Sequence, residues 1–116
     1  MPFVRFTGFE KNVVETAAPA IIECISGIAN IPEEIVKIEL LHVEKITNSP
    51  RSVEIFMFPR EEEKHHAIAE NINRILENLG CPHTHIFYVL LNPSLYYKEG
   101  QPLKRIPAKT PPEIRL

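Results

Sequence analysis

Met1-Pro2-Phe3-Val4-Arg5-Phe6-Thr7-Gly8 opens the chain, and the fold turns on how this stretch is read. It reads as a strand that begins with proline directly behind the methionine. Proline has no amide hydrogen to give to a ladder, so it is tolerated at the first residue of a strand and rarely in the middle of a central one. As a strand opener Pro2 is structurally cheap. It has a second property: with Met1 removed, its nitrogen is a secondary amine, a base at the mouth of whatever pocket the strand points into. With Met1 attached, the same nitrogen is a tertiary amide without useful basicity.

Working outward, Thr7 to Glu10 makes a turn, and Lys11 to Ala29 follows a helical period, with Val14, Ala17, Ala18, Ile21, Ile25 and Ile28 on one stripe. Pro19 predicts a bend or a split in this helix. Asn30-Ile31-Pro32 ends it. Ile35 to Ile46 reads as a long strand, and Thr47 to Arg51 as a loop. Ser52 to Phe58 is a third strand, apolar on nearly both faces and therefore central. Glu61-Glu62-Glu63 opens a second helix, where negative charge suits the first turn, and its stripe is Ile68, Ile72, Ile75, Leu76 and Leu79. Gly80 sits where a left-handed helix-ending residue belongs. A fourth strand runs from about Thr84 to Leu91, Tyr96 to Gly100 forms a short hairpin or strand, and the proline-rich remainder is extended.

A shift of fifty residues lays the first half on the second: Phe6 on Phe56, Ala17 on Ala67, Ile22 on Ile72, Pro32 on Pro82, Leu40 on Leu90. Strand falls on strand and helix on helix, and Asn30 coincides with Gly80. Two β-α-β units give a four-stranded sheet, and right-handed crossovers put both helices on one face. The other face is bare. Because the second, third and fourth strands carry apolar residues on both faces, that bare face calls for burial by further copies of the chain.

The totals exclude several classes. With 116 residues, 44% of them hydrophobic, the chain has material for one domain with a real core. A net charge of -2 without a basic run lacks the footprint of a nucleic-acid binder. No apolar stretch is read as long enough to span a bilayer, and the expected setting is cytoplasmic. Two separated cysteines, Cys24 and Cys81, suggest buried thiols rather than a disulfide framework. His83 and His85 lie two apart, but no third ligand stands at a recognisable spacing, so neither a metal nor a cofactor is expected.

Met1 to Phe6, Val53-Glu54-Ile55-Phe56-Met57-Phe58-Pro59-Arg60 and Tyr96-Tyr97-Lys98-Glu99-Gly100, in this order within two β-α-β repeats, resemble the tautomerase superfamily, the group of 4-oxalocrotonate tautomerase (4-OT) and macrophage migration inhibitory factor. More closely, they look like a bacterial domain-of-unknown-function family within it. The resemblance covers residues 1–101 as a single tautomerase-like domain of α+β class, two β-α-β repeats forming a four-stranded sheet with two helices on one face, and leaves 102–116 as a proline-rich tail. It implies a homotrimer with sites at subunit boundaries, and an isomerase whose N-terminal proline moves a proton on a small keto, enol or unsaturated carboxylic acid. Pro2 takes the catalytic place. The superfamily's carboxylate-binding arginine lies five positions after the helix-ending proline, which is Lys37 here; lysine keeps the charge and loses the bidentate fork.

Other candidates are Arg60 and Tyr88 for substrate binding, with Tyr96 and Tyr97 near the pocket. Arg5 alternates with Pro2 and is expected on the opposite face. Glu54 maps by the repeat onto Val4 and is expected on the face of Pro2, as a structural ion pair or a site group, with Arg60 as its partner or as a carboxylate ligand. A second reading stands beside the enzyme: a non-catalytic trimeric protein of the same fold that binds a small molecule or serves a structural role.

Overall fold

The computed structural model describes residues 1–103. Its elements are β1 (Phe3–Thr7), α1 (Lys11–Ala29), β2 (Lys37–Leu41), β3 (Ser52–Met57), α2 (Glu62–Asn78), β4 (His85–Leu90), β5 (Tyr97–Lys98) and β6 (Gln101–Pro102). The main sheet has the order β2-β1-β3-β4, and β5-β6 is a separate hairpin. β1 runs parallel to β2 and antiparallel to β3, and β3 runs parallel to β4. This is the expected pair of β-α-β units, with both helices on one face. The expected extended tail lies outside the described residues from 104 onward, and Pro102 belongs to the hairpin.

The core forms between that face and the helices. Val4 and Phe6 of β1, Val53, Ile55 and Met57 of β3, Ile21 and Ile25 of α1, and Ile68, Ile72 and Leu76 of α2 are buried together. Each such side chain contributes about 1.5–3 kcal/mol relative to exposure. α1 is long and apolar enough to cross a membrane by length and composition, contrary to the sequence reading. In this fold its apolar stripe packs into the core, and α2 lies against it.

Three expectations are corrected. α1 is not split at Pro19, because Pro19 lies on the exposed side and the carbonyl it leaves without a donor, that of Glu15, is there too. β2 ends at Leu41 rather than Ile46. Among the described residues it is an edge strand with β1 as its sole neighbour, and the register stops at Thr7↔Leu41, after which Gly8 turns the chain away at φ 86°. Glu54 is not on the face of Pro2 and Val4: it pairs in register with Arg5 on the open face, while Pro2 is fully buried on the helix side. The two helices open at Lys11 and Glu62, one residue out of step with the fifty-residue shift. That slip puts Phe6 in the core and Phe56 on the open face, since moving a strand by one residue reverses every side chain.

The open face is mixed rather than uniformly apolar. Lys37, Phe3, Phe56 and Val89 form one row across the strands, and the next row is Glu39, Arg5, Glu54 and Phe87. Arg5 bonds Glu39 through Nε at 2.9 Å and lies 4.7 Å over the Phe56 ring.

Both helix ends keep the fifty-residue relation. Asn30 and Gly80 have φ of 56° and 81°, and the next amides, of Ile31 and Cys81, donate to Ser26 O at 3.2 Å and Leu76 O at 2.9 Å. Ser26, buried, adds a 2.6 Å bond from its hydroxyl to Ile31 O. Asn30→Ala should lower unfolding stability by about 1 kcal/mol, because a β-carbon is disfavoured at this φ without the asparagine side chain. Asn30→Gly should be tolerated; urea denaturation of both variants checks this.

Candidate functional site

The beginning of β1 is held in the sheet by its neighbour. The Lys37 amide donates to Pro2 O at 3.0 Å, one of the bonds of the parallel rung that pairs Lys37 with Phe3. In front of Pro2, the Met1 α-amino group donates to Ile35 O at 3.0 Å.

Met1, Phe3, Ile35 and Lys37, together with Tyr96, Tyr97, Lys98 and Leu103, line a cavity of about 360 Å³. This is within the range of small-molecule sites. Its walls are mostly apolar, with Phe3, Ile35, Leu103 and two tyrosine rings. The charged side chains among the described lining residues are Lys37 and Lys98, and no carboxylate side chain is among them. Burial first, then the Lys37 and Lys98 ammoniums, hold the α-amino group below its ordinary value of 8.0. Lys37 Nζ donates to Glu34 O at 2.7 Å, which directs the ammonium along the turn before β2.

The hairpin side of the cavity is preorganised. Asn92 caps the short turn Pro93–Leu95 through its side chain, accepting from the Ser94 amide at 3.0 Å. Tyr96 meets the buried Phe58 edge-on with centroids 5.5 Å apart, and the Leu103 amide donates to Tyr96 O at 2.9 Å. Between Lys98 and Gln101, Glu99 and Gly100 have φ of 52° and 78°, the pair of left-handed residues that a tight two-residue hairpin turn requires.

The sequence candidates therefore divide. Lys37, Tyr96 and Tyr97 line the cavity, while Pro2 is buried behind Met1 and Phe3, which do line it. Arg60 and Tyr88 are not among the residues lining it. They gather around His65: the Arg60 amide donates to His65 Nε2 at 2.9 Å, and Tyr88 Oη donates to His65 O at 2.6 Å with the two rings 4.4 Å apart. Arg60 reaches the carbonyls of Phe58 and Pro59, each at 3.3 Å, and forms no ion pair with Glu54 among the described residues. Burial, then the charges of Arg60 and His66, lower the His65 pKa, and burial raises that of Tyr88. His65 is a neutral acceptor at the start of α2. Lys98 and this role of His65 were not singled out from sequence: Lys98 stands on a piece outside both repeats, and His65 is one of five histidines without distinctive spacing.

The family model described as Domain of unknown function (DUF1904) matches residues 1–102. No curated protein matches the sequence. The fold is similar to that of a protein of unknown function from Vibrio cholerae O1 biovar eltor, at 26% identity over 86% of this chain and 85% of that one, with a TM-score of 0.78. It is also similar to a DUF1904 domain from Sebaldella termitidis, at 21% identity over 86% and 97% of the two chains and a TM-score of 0.79. A fused 4-OT asymmetric trimer aligns at 11% identity over 88% and 96%, with a TM-score of 0.73. The fold is tautomerase-like.

The depressed amine has a consequence for stability. Its folded pKa lies below its unfolded value of 8.0, so between the two the unfolded chain holds more protons, and stability rises with pH across that window. In protein that keeps Met1, the α-amino group should titrate below about 8 by NMR. Lys37→Gln should move it back up, leaving burial as the larger cause.

Proposed function

The chain belongs to the DUF1904 family, and from that premise we propose that it is a proline-based isomerase of small keto or enol carboxylic acids. With Met1 removed, the Pro2 nitrogen takes the enol hydroxyl proton and, as the ammonium, returns a proton to carbon, so that the enol becomes the ketone. Lys37 binds the substrate carboxylate and holds the reacting carbon against the amine. The observation that supports this reading is that Met1 and Lys37 both line one cavity, and that the Lys37 amide bonds the carbonyl of Pro2, the residue after Met1, at 3.0 Å. Burial and the charges of Lys37 and Lys98 lower the pKa of the Met1 amine in this cavity, and the same surroundings would favour the free electron pair that a Pro2 base needs.

A homotrimer in the cytoplasm is part of the proposal. The open sheet face, with Phe3, Phe56, Phe87 and Val89 uncovered by any helix, supports assembly, as does the likeness to a trimeric 4-OT. Tyr88 and Arg60 are candidates for substrate binding only through such an assembly, since in their own chain they stand around His65. The non-catalytic reading draws on Lys37, whose ammonium already has the Glu34 carbonyl and whose point charge orients a carboxylate less firmly than an arginine fork.

Protein shown by mass to lack Met1 should turn over phenylenolpyruvate or 2-hydroxymuconate. Pro2→Ala should remove that turnover, while Lys37→Ala should lower kcat/KM about tenfold or more, the worth of one charged hydrogen bond. Complete retention of Met1 in native material, or silence on both substrates, would favour the binding protein. In solution the mass should be that of three chains.

A further inference from the structure

We propose that Lys98, on the β5–β6 hairpin, is a second anion-binding residue of the cavity and makes it selective for acids that carry two carboxylates. The proposal deepens the reading above and rests on it for the location of the site. Three features carry it. The two lysines come from different sheets, Lys37 from the main sheet and Lys98 from the hairpin, yet they line one cavity. No carboxylate side chain among the described lining residues neutralises them, and the Lys98 ammonium has no hydrogen-bond or ion-pair partner among the described residues, so one bound carboxylate would leave positive charge unmatched. Phe3, Ile35 and Leu103 give the same cavity apolar walls, which suit the carbon chain of such an acid.

The hairpin gives Lys98 a fixed base. Its turn is set by Glu99 and Gly100, and its root by the Tyr96–Phe58 contact and the Leu103-to-Tyr96 bond. A lysine on such an element loses less freedom on binding than one on a loose tail, which strengthens discrimination. Lys98 is therefore a specificity residue, separate from the proton chemistry assigned to Pro2.

Muconate and sorbate make a matched pair of probes, six-carbon dienes that differ by a methyl group in place of one carboxylate. Their dissociation constants are measured by calorimetry on mass-defined wild type, Lys98→Gln and Lys98→Arg, with thermal melting as the check on folding. Wild type should bind muconate about tenfold more tightly than sorbate, the worth of one charged hydrogen bond. Lys98→Gln should abolish the difference by weakening muconate and leaving sorbate unchanged, and Lys98→Arg should restore it. Equal binding of the two acids by wild type, equal weakening of both in Lys98→Gln, or no binding of either would overturn the proposal. Selective binding without turnover of 2-hydroxymuconate would sink the isomerase reading and leave the role of Lys98 standing.

Discussion

The structure depends on β1 being an inner strand. It is bonded on both sides, parallel to β2 and antiparallel to β3, and supplies Val4 and Phe6 to the centre of the core. A five-residue strand in that place limits its neighbours, which is why β2 stops at Leu41 although the sequence beyond it is still rich in β-formers. It also brings the head of the chain inside the molecule. Pro2 becomes a buried residue whose carbonyl is a rung of the ladder, and the α-amino group loses part of its hydration. Burial, the larger cause of the depressed pKa at the cavity, follows from this topology, and the charges of Lys37 and Lys98 add to it.

Most of the fold was legible because it is written twice. Each half carries the period of a strand, then of a helix, then a left-handed residue two positions ahead of a proline, and these signals agree with one another. What the repeat could not show was its own one-residue slip. A helix absorbs such a slip as a rotation, so the stripes of α1 and α2 still looked aligned, while in a strand it exchanges the two faces. Glu54 was misplaced for this reason, and the open face was judged more apolar than it is.

The site was legible in part. Pro2 was singled out as the proline at the head of a strand, and Lys37 only through the resemblance to the tautomerase superfamily, whose carboxylate-binding residue lies five positions after the helix-ending proline. Lys98 was visible only as one residue of a quoted segment, because its relation to the cavity comes from a hairpin packed through Tyr96 on Phe58, a contact between distant parts of the chain. Arg60 and Tyr88 carried the right chemistry for a ligand. Their neighbours in space give them another occupation, around a histidine that ties the start of α2 to the end of β3.

The inner place of β1 also sets an order of assembly. The strand is synthesised before either neighbour, and its antiparallel side stays open until the chain has grown through Met57. Until Leu41 has been made both edges of the apolar segment Phe3, Val4 and Phe6 lack a partner, and until Met57 one still does, which makes it the kind of segment that pairs with whatever it meets. Arg5, set among them, gives the unpaired strand a charge that resists stacking against identical strands. The residue that later bonds Glu39 and covers Phe56 thus serves the nascent chain as a gatekeeper before it serves the folded one.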